Sequence, residues 1–139
     1  MKKLVVATGV FEILHPGHLR YLEEAGKLGD ELVVIVARDE TARKRKRRPV
    51  ISEQQRLHMI KSLKPVDDAV LGDLEDMFGA VVRLNPDILA LGPDQDFKED
   101  VLEKEFEKRN LKTKVVRIKD YWKSGLHSTK LIVELIKKQ

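Results

Sequence analysis

Two histidines three residues apart, with a glycine between them, are the pair in this chain best suited to chemistry. His15 and His18 lie in Thr8-Gly9-Val10-Phe11-Glu12-Ile13-Leu14-His15-Pro16-Gly17-His18, after an apolar run and at the entrance to a stretch of helical period. A glycine there lets the backbone come close to a ligand. Free N–H groups at a helix start, at the positive end of its dipole, attract phosphate. Two imidazoles beside them can donate to phosphate oxygens, more strongly when protonated. Phosphate binding is therefore the expected chemistry. The alternative, two histidines merely packed in a turn, fits poorly when half of the chain's four histidines flank one glycine. A protein metal site has less support, because the pair lacks a third ligand. The segment contains neither G-x-G-x-x-G nor G-x-x-x-x-G-K-[ST], so neither a dinucleotide fingerprint nor a P-loop is present.

The elements that must position this loop follow from the apolar pattern. Runs at residues 4–7, 32–37, 69–71 and 88–91 are apolar without polar alternation, and 115–118 is apolar but for Arg117, as strands buried on both faces are. The intervals have helical period. Leu19, Leu22, Ala25 and Leu28 recur on one face, with Gly29 as a stop. Ser52 to Gln55 has capping-box spacing ahead of Leu57, Ile60 and Leu63. A short helix is predicted over 77–84, and another over 97–109 with Val101, Leu102 and Phe106 facing inward. Ser128 opens a last helix carrying Leu131, Ile132, Leu135 and Ile136. Strand–helix alternation throughout predicts an α/β fold, a doubly wound Rossmann-like parallel sheet with helices on both faces. No repeat or linker divides the chain, so residues 1–139 are read as one domain.

Composition sets the class. The 139 residues include no cysteine, which excludes disulfides, thiolate metal sites and a cysteine nucleophile. No apolar stretch approaches the ~18 residues of a membrane span, and no signal segment precedes the first strand. A soluble, cytoplasmic protein is expected. Charged residues make up 36% of the chain with a net charge of +4.

In such sheets ligands sit beyond the carboxyl ends of the strands, so the residues after each strand are the next candidates. After the second comes a run of six basic residues, 43–48, which self-repels and is predicted as an exposed loop. Three roles compete for it: a solvated loop, a nucleic-acid patch and a cationic flap over a triphosphate. Nucleic acid is the least supported, because no stacking platform accompanies the charge. After the fourth strand, Gly92-Pro93-Asp94 is a turn that places an acid at a strand end. After the fifth, Tyr121 and Trp122 could wall a base. Ser128 is a good N-cap, and capping alone could explain it, but hydroxyls and N–H groups at a helix start also make an anion site.

His15-Pro16-Gly17-His18 matches H-x-G-H, and with T-G-x-F before it and Arg20 after it the chain resembles the cytidylyltransferase-like nucleotidyltransferases over almost its full length. The likeness is nearest to archaeal-type FAD synthetases, through Val36-Ala37-Arg38-Asp39-Glu40-Thr41, Leu63-Lys64-Pro65-Val66-Asp67 and Leu91-Gly92-Pro93-Asp94-Gln95. The resemblance implies FMN adenylyltransferase activity: FMN and ATP giving FAD and pyrophosphate by direct in-line attack. Its alternative is a cytidylyltransferase using CTP with glycerol 3-phosphate or another small phosphate. It implies catalytic roles for His15, His18, Lys46 and Arg56. It implies nucleotide contacts from Val10, Phe11, Pro16, Gly17, Lys44, Asp94, Tyr121, Ser128 and Thr129. A divalent metal, Mg²⁺, is expected mainly on the NTP phosphates. Such relatives are often homodimers, although the sequence marks no interface. The chain departs from many relatives at Val10, where they carry Thr, and at Glu12, where they carry Asp. It has His127 and no cysteine in the C-terminal segment, where many archaeal FAD synthetases have cysteines. The arginine that glycerol-phosphate enzymes carry before this segment has no clear match, only Lys123 nearby.

Overall fold

Val5, Val6 and Ala7 are all fully buried, and that burial on both faces makes β1 (Leu4–Gly9) the centre of the sheet. The computed structural model describes residues 2–45, 48–120, 122 and 125–139. The remaining strands are β2 (Glu31–Val36), β3 (Asp68–Leu71), β4 (Ile88–Leu91) and β5 (Lys114–Arg117). All four pairings are parallel and the order is β3-β2-β1-β4-β5, so the chain switches direction across β1. This is the doubly wound, Rossmann-like arrangement that the strand–helix alternation predicts, with its ligand crevice beyond the ends of β1 and β4.

The helices are α1 (Pro16–Gly26), α2 (Asp39–Arg45), α3 (Glu53–Lys61), α4 (Gly79–Leu84), α5 (Glu99–Lys108) and α6 (Thr129–Lys137). Two cores lie on opposite faces of the sheet. Tyr21, Leu22 and Ala25 of α1 and Ile60 of α3 pack on one. Ala80 and Val81 of α4 and Leu102 and Phe106 of α5 pack on the other. No helix among the described residues is long and apolar enough to cross a membrane.

Several local expectations change. The basic run does not begin as a loop: Arg43, Lys44 and Arg45 form the last turn of α2, although all three stay exposed. Asp39 and Glu40 in the first turn and cations in the last both complement the helix dipole, and Glu40 holds Arg43 at 2.8 Å. Val101 points to solvent, 58% exposed, because Leu102 and Phe106 already fill the inward face of α5. Leu19 is also partly exposed while Leu22 and Ala25 are sealed. Helix α1 ends at Gly26, so Gly29 is not its stop. A Cβ at Gly29 would stand 2.7 Å from the Lys3 carbonyl oxygen, and close approach to the start of β1 is what requires glycine. Met77 precedes α4 and is exposed.

Side chains fasten the strand ends where the crevice opens. The buried Tyr21 hydroxyl donates to Ala90 O at 2.6 Å and accepts from Thr8 N at 3.1 Å, joining β4 to β1. Burial holds its phenol well above the ordinary tyrosine range, so it stays protonated. The Gln95 carboxamide accepts from Gly92 N at 2.8 Å and donates to Thr8 O at 3.1 Å. Tyr21→Phe leaves Thr8 N–H and Ala90 O without this partner, so stability should fall by about 1–3 kcal/mol. Urea unfolding should show a lower midpoint with an unchanged slope. An unmoved midpoint would mean that the hydroxyl does not tie the strands.

Candidate active site

The loop leaving β1 is held under strain. Phe11 has φ 55°, left-handed for a bulky residue, which costs on the order of 1–3 kcal/mol. Its ring folds back over Gly9, where a Cβ would lie 2.7 Å from Phe11 Cζ. The ring is buried and meets His18 edge-on, with centroids 5.3 Å apart. A Phe11 contact to a nucleotide would therefore have to come from its backbone.

His15 caps α1: its Nδ1 accepts from Gly17 N at 3.1 Å, which leaves the other ring nitrogen, Nε2, as the donor. Pro16 takes the first helical position, where a missing N–H does no harm. His18 N and Leu19 N both donate to His15 O. The first turn of α1 has thus used its N–H groups internally, contrary to the expectation that they stand free. What this helix offers an anion is its dipole and two imidazoles. Their rings stack at 3.8 Å, 25° from parallel.

Both histidines resist protonation. Burial, and then the neighbouring His127, lower the pKa of His15. Burial, and then His15, lower that of His18 to about 4. His18 is neutral at physiological pH, so the stronger donation open to a protonated imidazole is not available to it. Its Nδ1 is buried with no hydrogen-bond partner among the described residues.

The C-terminal segment closes onto this loop. A Cβ at Gly17 would meet His127 O at 2.7 Å and His15 Cε1 at 2.8 Å, so glycine is what allows the contact. Arg20 of α1 pairs with Asp120 at 3.0 Å and lies 5.5 Å over the Trp122 ring, which fixes the approach from a second side. Ser128 N-caps α6, accepting from Leu131 N at 3.2 Å. Its hydroxyl proton has no acceptor among the described residues. Thr129 N–H and Lys130 N–H have no hydrogen-bond acceptor among the described residues. The unpaired donors expected at a helix start are at α6, beside the histidines of α1.

Arg56, to which the resemblance gives a catalytic role, is 1% exposed. It donates to Ile51 O at 2.9 Å, to Val10 O and Ala37 O at 2.8 Å, and to Asp39 Oδ1 at 2.7 Å. It braces the exits of β1 and β2 against α3 and positions the loop. Asp39 N in turn donates to Glu53 at 2.9 Å, and Arg38 reaches both Glu53 and Gly72 O.

Arg43, Lys44 and Arg45 end α2 at the same end of the sheet. Arg45 lies 4.7 Å over the Phe97 ring beyond β4, and Glu12 accepts a hydrogen bond from Val50 N. Lys44 and Asp94 are exposed at this end. Lys46, Tyr121 and Lys123 lie outside the described residues. Arg117 holds the Asp94 loop through Gly92 O, Gln95 O and Phe97 O. Tyr21, Gln95 and Arg117 were missed in the sequence because each looks like an ordinary surface or core residue until its distant acceptor is known. Among the described residues no three His, Asp or Glu side chains converge as a metal site.

A model of the cytidylyltransferase-like family matches residues 6–134. The chain is 58% identical over 135 residues to a FAD synthase of Methanothermus fervidus, covering 95% of this chain and 93% of that one. It is 53% identical over 139 residues to a FAD synthase of Methanothermobacter marburgensis, covering 98% and 86%. Among solved structures, a lipopolysaccharide core biosynthesis protein from Thermoplasma volcanium superposes with a TM-score of 0.85 at 49% identity, over 88% of this chain and 100% of that one. A protein from Archaeoglobus fulgidus, at 22% identity and a TM-score of 0.69, covering 88% and 95%, shares the fold. With an H-x-G-H loop and a second helix start closed over the switch point of a parallel sheet, the chain belongs to the cytidylyltransferase-like family and is a nucleotidyltransferase.

Proposed function

We propose that the protein transfers AMP from ATP to FMN, giving FAD and pyrophosphate. The observation that carries this reading is the convergence of two helix starts, α1 capped by His15 and α6 capped by Ser128, held together where His127 O rests on Gly17. One phosphate would need only one such site. The curated relatives named FAD synthase supply the identity of the substrates.

In the reaction an oxygen of the FMN phosphate attacks the α-phosphorus of ATP. The new P–O bond forms as the bond from that phosphorus to the bridging oxygen breaks, and pyrophosphate leaves with the electron pair. The attacking phosphate is already ionised, so no strong base is needed. The work is positioning and charge stabilisation. His15 and His18 donate from neutral imidazoles to the oxygens that gain charge. Thr129 N–H, Lys130 N–H and the Ser128 hydroxyl hold the outer phosphates. Lys44 and Lys46 act from the basic segment, and Asp94 and Tyr121 serve the nucleoside. Mg²⁺ fits this donor set as a cation carried on phosphate oxygens, since it keeps its waters and takes few protein ligands.

Incubating the protein with Mg²⁺, FMN and ATP should release pyrophosphate in step with FAD. Turnover of CTP with glycerol 3-phosphate and none with FMN would overturn the reading. His18→Ala should lower kcat about 10²–10³-fold; near-full turnover would sink the assigned role.

Ser128→Asp separates capping from phosphate binding. Asp caps as well as Ser, so thermal stability should hold while KM for ATP rises from the added negative charge. An unchanged KM would leave Ser128 only its cap.

The histidine burial has a pH signature. Below about pH 6.5 the unfolded chain protonates an imidazole that folded His18 keeps neutral down to about pH 4. The unfolded state then binds more protons, so stability falls as pH drops through that window, by about 3 kcal/mol in full. His18→Gln should show a flatter decline of Tm between those limits than the unmodified protein.

A further inference from the structure

An apolar cavity of about 150 Å³ opens beside the histidine loop, and no role described above uses it. Phe11, Glu12, Ile13 and Leu14 of the β1–α1 loop form one wall and Ile51, Arg56 and Met59 the other, with almost all of the accessible lining apolar. We infer that it is the subsite for the flavin ring of the acceptor and takes the dimethylbenzene edge of the isoalloxazine. The inference rests on the FMN reading above and adds where the ring docks.

Three observations carry it. The first is size and chemistry: an apolar protein cavity of this volume accommodates a benzene-sized ring, whereas a polyol phosphate has no apolar surface to place there. The second is position. Phe11 lines the cavity and its ring also touches His18, so a ring seated there lies one side chain from the group that contacts phosphate. The Asp94 loop and the α6 start, assigned above to the nucleoside and the outer phosphates, leave from the β4 and β5 side. The cavity lies on the α3 side. In-line attack needs the acceptor to enter away from the leaving pyrophosphate, and a ring in this cavity would approach from a different flank.

The third is preorganisation. Phe11 is held in its left-handed backbone, Arg56 fixes the loop through Val10 O, and Glu12 reaches across the rim to Val50 N. The walls therefore belong to two separate elements that are already tied together. A preformed apolar wall binds a rigid ring with little ordering cost.

Met59 is 51% exposed, so it can be replaced with little risk to folding. Met59→Glu should raise KM for FMN at least tenfold while KM for ATP stays within twofold, and Met59→Leu should behave as the unmodified protein. Lumichrome, an alloxazine that keeps the dimethylbenzene edge and lacks the ribityl phosphate, should bind the unmodified protein and not Met59→Glu, read by its fluorescence. Ile13→Ser provides a second variant from the opposite wall, and thermal melts check that each is folded. Unchanged FMN KM in both folded variants overturns the subsite, as does an equal rise in KM for ATP. Failure of the unmodified protein to make any FAD overturns the FMN reading instead. Lumichrome then still decides the ring site, which falls if Met59→Glu binds it equally.

Discussion

The site depends on one close approach. Gly17 sits in the first turn of α1, and the His127 carbonyl oxygen comes so near that no side chain fits between them. Because of this contact, a loop from the start of the chain and a helix from its end face the same space. A methyl group there would push the two helix starts apart. Arg20, reaching Asp120 and Trp122, holds the same juncture from outside. Exposed ion pairs of this kind contribute little stability, so their effect here is to set an angle.

Around that juncture, irregular backbone is held by side chains whose hydrogen bonds are nearly all used. Arg56 takes carbonyls from three separate loops and a carboxylate, Arg117 collects carbonyls beyond β4, Tyr21 joins β1 to β4, and Gln95 joins β1 to the turn after β4. Loops cannot pair their own carbonyls as strands do, and buried carbonyls left unpaired are costly. Guanidinium groups suit this task because one planar fork serves several acceptors at fixed angles. The strain at Phe11 persists only because these braces and the Gly9 gap over-determine it.

Much of this was legible in the residues. Four uninterrupted apolar runs and a fifth broken only by Arg117 read as strands covered on both faces, and the helical intervals between them point to a parallel sheet. His15, Gly17 and His18 announce a phosphate loop, and Ser128 announces a helix start. Other features were hidden for physical reasons. Arg56 occupies an ordinary helical position, and its acceptors, Val10 O and Ala37 O, are backbone atoms that any sequence would supply. Periodicity places Val101 and Leu102 alike, and only packing decides that Leu102 turns inward. Six like charges in a row suggest a loop, yet Asp39 and Glu40 ahead of them stabilise a helix that carries the first three. The protonation of His18 also escaped sequence reasoning, because it depends on how deeply the neighbouring rings enclose it.

The low basicity of the histidine pair divides the electrostatics of the protein between two places. The imidazoles that would touch phosphate contribute short-range dipoles and no net charge, while Arg43, Lys44 and Arg45 stand exposed on α2 at the mouth of the crevice. Fields from exposed cations reach about 10 Å at 0.1 M salt and less at higher concentrations, whereas a buried dipole is barely screened. Ionic strength should therefore govern how often a polyanion arrives and leave what happens after arrival almost untouched.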